Sequence, residues 1–314
     1  STLEVNRLVV TVNQLFAKEM IISNEHIKVS ASMGYSLYPE NGTTFDALLI
    51  EADMAMYQAK REGKASIKRY DPVMSQIVQN DYLMISSLRE GLVNEEFYLE
   101  YQPIMSLDGD FVTGFEALIR WQSSSCGKVS PAKFIPLAES SGLIIHLGNY
   151  VIDAAIAFAS RLKALKKGHF TVSINISVVQ FYEDNFIEQL LRRIDQSDIA
   201  PQHIQLEITE TVMIDTYNLM IEKMRTLLTH DIAIALDDFG TGYSSLSYIN
   251  NLPIQKLKID KSFIDHIQSN DDKYPLVDAT LFRSDTRGIS NECLAEQAHV
   301  TLRTGKLLII ESVD

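Results

Sequence analysis

From Leu88 to Asp260 the chain repeats one pattern, a short run of alternating apolar and polar residues followed by a longer amphipathic stretch. The period-two runs are strands, expected over 97–104, 114–121, 170–177, 203–209, 231–237 and 255–260. Helices are expected near 131–137, 148–166, 185–196 and 217–229. Strands joined through helices run parallel, and a succession this long favours a (β/α) barrel in the α/β class.

Parity within each strand says which side chains enter the barrel. In GFEALIRW (114–121), Phe115, Ala117 and Ile119 share one face and Glu116 and Arg120 the other. In TVSINIS (171–177), Val172, Ile174 and Ile176 oppose Ser173, Asn175 and Ser177. Leu206 and Ile208 oppose Glu207; Ile232, Ile234 and Leu236 oppose Asp237, with Asp238 opening the next loop; Leu257 and Ile259 oppose Lys258 and Asp260. One face of a barrel strand meets the helices and the other the interior. An oxygen-bearing or charged group therefore enters from each strand near its C-terminal end, where barrel enzymes build their sites. Three carboxylates, an amide and a lysine gathered there need a cation between them. All-oxygen donors suit Mg²⁺ or Mn²⁺. Asp238 beside Asp237 makes two ions plausible, with Asp237 bridging them.

Composition narrows the ligand. A net charge of −13 argues against non-specific binding of a nucleic-acid polymer, so a phosphate ligand must be held by local cations. Two cysteines make no disulfide framework and fit a reducing cytosol. No apolar run approaches the roughly 18 residues of a membrane span, and a cytoplasmic location is expected.

Several segments, in order, match one family: GFEALIRW, FIPLAE (134–139), NISVVQ (175–180), EITE (207–210), DDFGTGYSS (237–245) and KIDKSFI (258–264). Over about 88–276 the chain resembles the EAL-domain cyclic di-GMP phosphodiesterases, which implies a TIM-like barrel. The segments SMGY (32–35), ADMAMY (52–57) and KREGK (60–64) resemble the second half of an α+β GGDEF domain. The signature that names that domain is missing, so no diguanylate cyclase activity is expected. The domain organisation read this way is 1–70 partial GGDEF domain, 71–87 linker helix, 88–280 EAL domain and 281–314 divergent tail.

Carried over residue by residue, the resemblance implies that Glu116, Asn175, Glu207 and Asp237 hold metal, with Asp238 completing a second site. Lys258 would orient the attacking water, unless it is only an ion-pair partner of Asp237. Glu210 would brace the loop carrying Asp237 and Asp238. Gln102, Arg120, Pro136 and Asp260 would bind substrate. The implied reaction is metal-dependent hydrolysis of cyclic di-GMP to linear pGpG with two Mg²⁺ or Mn²⁺ ions. A homodimer is a further expectation.

After Leu276 the likeness stops; the chain runs DATLFRSDTRGISN (278–291) and ends at Asp314. Either the tail is a remodelled segment, LLIIESVD (307–314) standing in for a missing strand and Glu311 for its glutamate, or it is unrelated sequence from a truncation or frame change. The second reading is preferred. Both leave the barrel without its last strands, and so admit a second function: a catalytically degenerate domain acting as a cyclic di-GMP receptor or protein-interaction module.

Overall fold

The computed structural model describes residues 2–17, 20–22, 25–27, 30–62, 66–105, 111–165, 170–209, 217–239, 252–259, 299–301 and 307–310. The chain packs as two units, Ser1–Ser86 and Ser87–Asp314.

The first unit contains α1 (Thr2–Ala17), the antiparallel pair β1 (Met20–Ile22) and β2 (Glu25–Ile27), β3 (Met33–Tyr35), α2 (Phe45–Arg61) and β4 (Ile67–Arg69). β3 and β4 pair in parallel, and α2 lies on them. Thr44 caps α2, its hydroxyl accepting from the Ala47 N–H. The face that α2 buries is centred on Ala55 and Ala59, whereas Phe45 and Leu49 are exposed. The reason lies in β3: a Cβ on Gly34 would stand 2.1 Å from the Ala52 carbonyl oxygen. Backbone meets backbone there, which admits only small residues. α3 (Pro72–Val93) follows as one continuous helix where a linker helix was expected over 71–87.

The second unit continues with β5 (Phe97–Met105), β6 (Val112–Ser123), β7 (Gly127–Val129), α4 (Pro131–Ser140), α5 (Ile144–Ala164), β8 (Thr171–Asn175), α6 (Val178–Tyr182), α7 (Phe186–Asp195), β9 (Ile204–Thr209), α8 (Tyr217–Thr229), β10 (Ala233–Phe239), β11 (Lys256–Ile259), β12 (His299–Thr301) and β13 (Leu307–Ile310). They form one sheet in the order β12-β13-β11-β10-β9-β8-β6-β5, with β7 on β6. The run β6-β8-β9-β10-β11-β13 is parallel throughout. Among the described strands β13 pairs with β11 through Lys258 opposite Ile309, so 307–310 takes a place in the sheet. Glu311 lies outside the described residues.

The core lies between the sheet and its helices. α5 buries Leu147, Val151, Ala155 and Ala159 at a spacing of four, and Val172 and Ile174 of β8 join the same cluster. Each fully buried Val, Leu or Ile side chain among them contributes about 1.5–3 kcal/mol. Two of the boundaries that differ from the sequence reading have clear local reasons. Ser177 is not an inward strand residue; its hydroxyl accepts from the Val179 N–H and caps the short helix α6. Asp231 is not in β10, because its φ of 60° closes a turn after α8, a conformation that Asp tolerates. No described helix is long and apolar enough to cross a membrane.

Candidate functional site

Register decides what meets inside the barrel. Asn175 of β8 lies beside Glu207 of β9, which lies beside Ala235 of β10, which lies beside Lys256 of β11. A small residue at 235 leaves the interior free for longer side chains from both neighbours. A bulge between Leu236 and Phe239 then brings Asp237 toward the next inward residue of β11, Lys258.

Lys258, 1 % exposed, is the hub. Its Nζ donates to Glu207 Oε2 at 2.6 Å, Glu116 Oε2 at 3.2 Å and Asp237 Oδ2 at 3.2 Å. Asn175 Nδ2 donates to the other oxygen of Glu116 at 2.6 Å. Gln205 Nε2 donates to the other oxygen of Glu207 at 3.1 Å and to Ser173 Oγ at 2.8 Å. Burial pushes the Lys256 ammonium below the ordinary lysine range, while Glu207 pulls it back up.

Oxygens of Glu116, Glu207 and Asp237 come within 4.8 Å of one another. Among the described residues the Lys258 ammonium bonds to all three of these acidic side chains. The cluster's all-oxygen donor set is that of a hard divalent cation. The residues therefore fit a metal ion.

A cavity of about 470 Å³ opens beside the cluster and shares Asn175 and Glu207 with it. α4 and α5 supply its apolar wall, including Ile135, Ile144, Leu147 and Val151, and Arg120, Glu139, Ser177 and Gln180 add polar groups. α4 is held by an aromatic cluster. Trp121 of β6 stacks on Phe97 at 5.3 Å and meets Phe134 edge-on at 5.6 Å, while its indole N–H donates to Glu96 at 3.0 Å. Hydrogen bonds from Ser124 and Trp121 hold the Glu96 carboxyl below the usual range.

The expected substrate residues divide. Arg120 is on the cavity wall, its guanidinium paired with Glu100 at 2.6 Å. Gln102 pairs in register with Glu116 but is not among the described residues lining the cavity. Neither is Pro136, which is exposed: α4 turns the row Pro131, Ile135, Glu139 toward the cavity, and Pro136, one residue after Ile135, lies about 100° round the helix. Asp238 is on β10, but its side chain, like Glu210 and Asp260, lies outside the described residues. Sequence reasoning missed Gln205 and Lys256, although both share the parity of the residues two places on.

Comparison with known proteins agrees with this architecture. The EAL domain family matches residues 85–290, and the family described as diguanylate cyclase, GGDEF domain, matches residues 1–66. The biofilm architecture maintenance protein MbaA of Vibrio cholerae is 38% identical over 240 residues, 76% of this chain and 30% of that protein. The bifunctional diguanylate cyclase/cyclic di-GMP phosphodiesterase MucR of Pseudomonas aeruginosa is 34% identical over 260 residues, 82% of this chain and 38% of its own length. The chain thus spans about a third of these curated relatives. The solved MucR phosphodiesterase in complex with c-di-GMP superposes with a TM-score of 0.57 at 32% identity, covering 63% of this chain and 80% of that one. With the match at 85–290 covering most of its length, the chain belongs to the EAL domain family.

Proposed function

We propose that the barrel mouth hydrolyses cyclic di-GMP to linear pGpG with the help of divalent cations. The observation that carries this reading is the convergence of Glu116, Glu207 and Asp237 on Lys258 beside a cavity large enough for part of a dinucleotide. The similarity to proteins named as cyclic di-GMP phosphodiesterases, including PdeR of Escherichia coli at 34% identity, supports it.

In this reading Glu116, Asn175, Glu207 and Asp237 would hold a Mg²⁺ or Mn²⁺ ion, and Asp238 would add a ligand for a second. When bound, such ions neutralise the phosphodiester and lower the pKa of the attacking water. Lys258 would orient that water, while Arg120, Gln102, Pro136 and Asp260 would hold the dinucleotide and Glu210 would brace the loop after β10. The apolar wall of Ile135, Ile144 and Leu147 limits water around the reacting phosphate.

The test is incubation of the purified chain with cyclic di-GMP and Mn²⁺ or Mg²⁺, following pGpG by chromatography. The expected result is metal-dependent product, reduced by at least about 100-fold in Glu207→Gln, on the scale of losing a catalytic electrostatic group. Binding of cyclic di-GMP without product contradicts the enzyme reading and leaves a receptor.

A further inference from the structure

We infer that Gln205 is a positioning residue for the cation site, dividing the two oxygens of Glu207 so that one is tied down and the other faces the cluster. The inference rests on the reading of Glu207 as a metal ligand.

Gln205 is fully buried on β9, two residues before Glu207 and on the same face. A carboxylate can only accept, so the Gln205 side-chain group facing Glu207 Oε1 at 3.1 Å is its NH₂. That NH₂ also donates to Ser173 Oγ at 2.8 Å, and Ser173 is its register partner on β8. The hydroxyl and the carboxylate together fix the rotation of the amide. Glu207 Oε2 is left for Lys258 at 2.6 Å. Asn175 makes the same division at Glu116, taking Oε1 and leaving Oε2 to Lys258. Two acids from separate strands are thus each held by one oxygen, from an amide, with the second oxygen turned to a common centre.

The carbonyl of Gln205 has no hydrogen-bond partner among the described residues. An amide buried with its oxygen unpaired costs stability, and an apolar side chain would fill the same place without that cost. The NH₂ is the part that the site uses. Groups that hydrogen-bond metal-ligating carboxylates fix their orientation, and losing one weakens metal affinity by about 10–100-fold.

The experiment is a Mn²⁺ titration of the full chain, reading free Mn²⁺ by electron paramagnetic resonance, for the wild type, Gln205→Met and Glu207→Gln. Thermal unfolding is followed in chelator. Methionine keeps the length of the side chain but cannot donate. The expected result is saturable binding by wild type, none in Glu207→Gln, and a dissociation constant at least about 10-fold higher in Gln205→Met. The unfolding temperature of Gln205→Met in chelator should stay within about 4 °C of wild type, which a merely packing role would not combine with weakened binding. Equal affinity in wild type and Gln205→Met overturns the inference and leaves the cation site standing. Absence of saturable Mn²⁺ binding in wild type overturns both. Should Gln205→Met fail to fold, Ser173→Ala, which frees the amide to rotate, must weaken binding in the same direction; unchanged affinity there overturns the inference.

Discussion

Lys258 carries a positive charge into a space where water hardly reaches, and it is tolerated because three carboxylates meet it. Removing one member of such a buried group leaves the others uncompensated, at about 3–5 kcal/mol. Lys258→Met should therefore unfold at a lower temperature in chelator, and saturating Mn²⁺ should restore part of the loss by occupying the ammonium's place. Differential scanning calorimetry with and without Mn²⁺ reads both effects, and a variant that Mn²⁺ does not stabilise would contradict this account of the cluster. The inward parity of Glu116, Asn175, Glu207, Asp237 and Lys258 was legible in the sequence because each alternates with apolar residues that need the helix side of the sheet. Gln205 was not. A neutral amide beside isoleucine and leucine carries no charge signal, and its role appears only when register sets it beside Ser173 and Glu207.

Elements were legible where the period ran long. α5 and α7 and the strands of the parallel run follow their apolar spacing, whereas α6 was lost because its five residues, VVQFY, are too few to establish a period and begin with two β-branched valines. That helix depends on its cap: Ser177 accepts from Val179 and donates to Glu139 of α4, joining two elements at the cavity rim. Further along, Gly148 sits inside α5 because a Cβ there would come 1.9 Å from the Gln180 amide nitrogen. Gln180 is buried, and its amide would have to turn into the cavity it lines. Gly148→Ala gains helix propensity worth about 1 kcal/mol but overpacks at about 1–3 kcal/mol, so net destabilisation is expected in a denaturant titration, together with weaker cyclic di-GMP binding. A more stable variant with unchanged binding would show that α5 and α6 are free to separate.

At the scale of the whole molecule, the site exists only because distant strands are neighbours: Lys258 and Glu116 are 142 positions apart in the chain and 3.2 Å apart in space. The alternation of strand and helix made that neighbourhood readable in outline. The tail was less readable, since the apolar run at 307–310 has a strand's composition without a family motif, and its parallel pairing with β11 emerges only in the fold. Crystals of the chain soaked in Mn²⁺, with anomalous diffraction at the manganese edge, examine the central claim directly. The account predicts a peak bounded by Glu116, Glu207 and Asp237, with Lys258 displaced from at least one of them. Three carboxylates still bonded to Lys258, with no peak between them at saturating Mn²⁺, would contradict it.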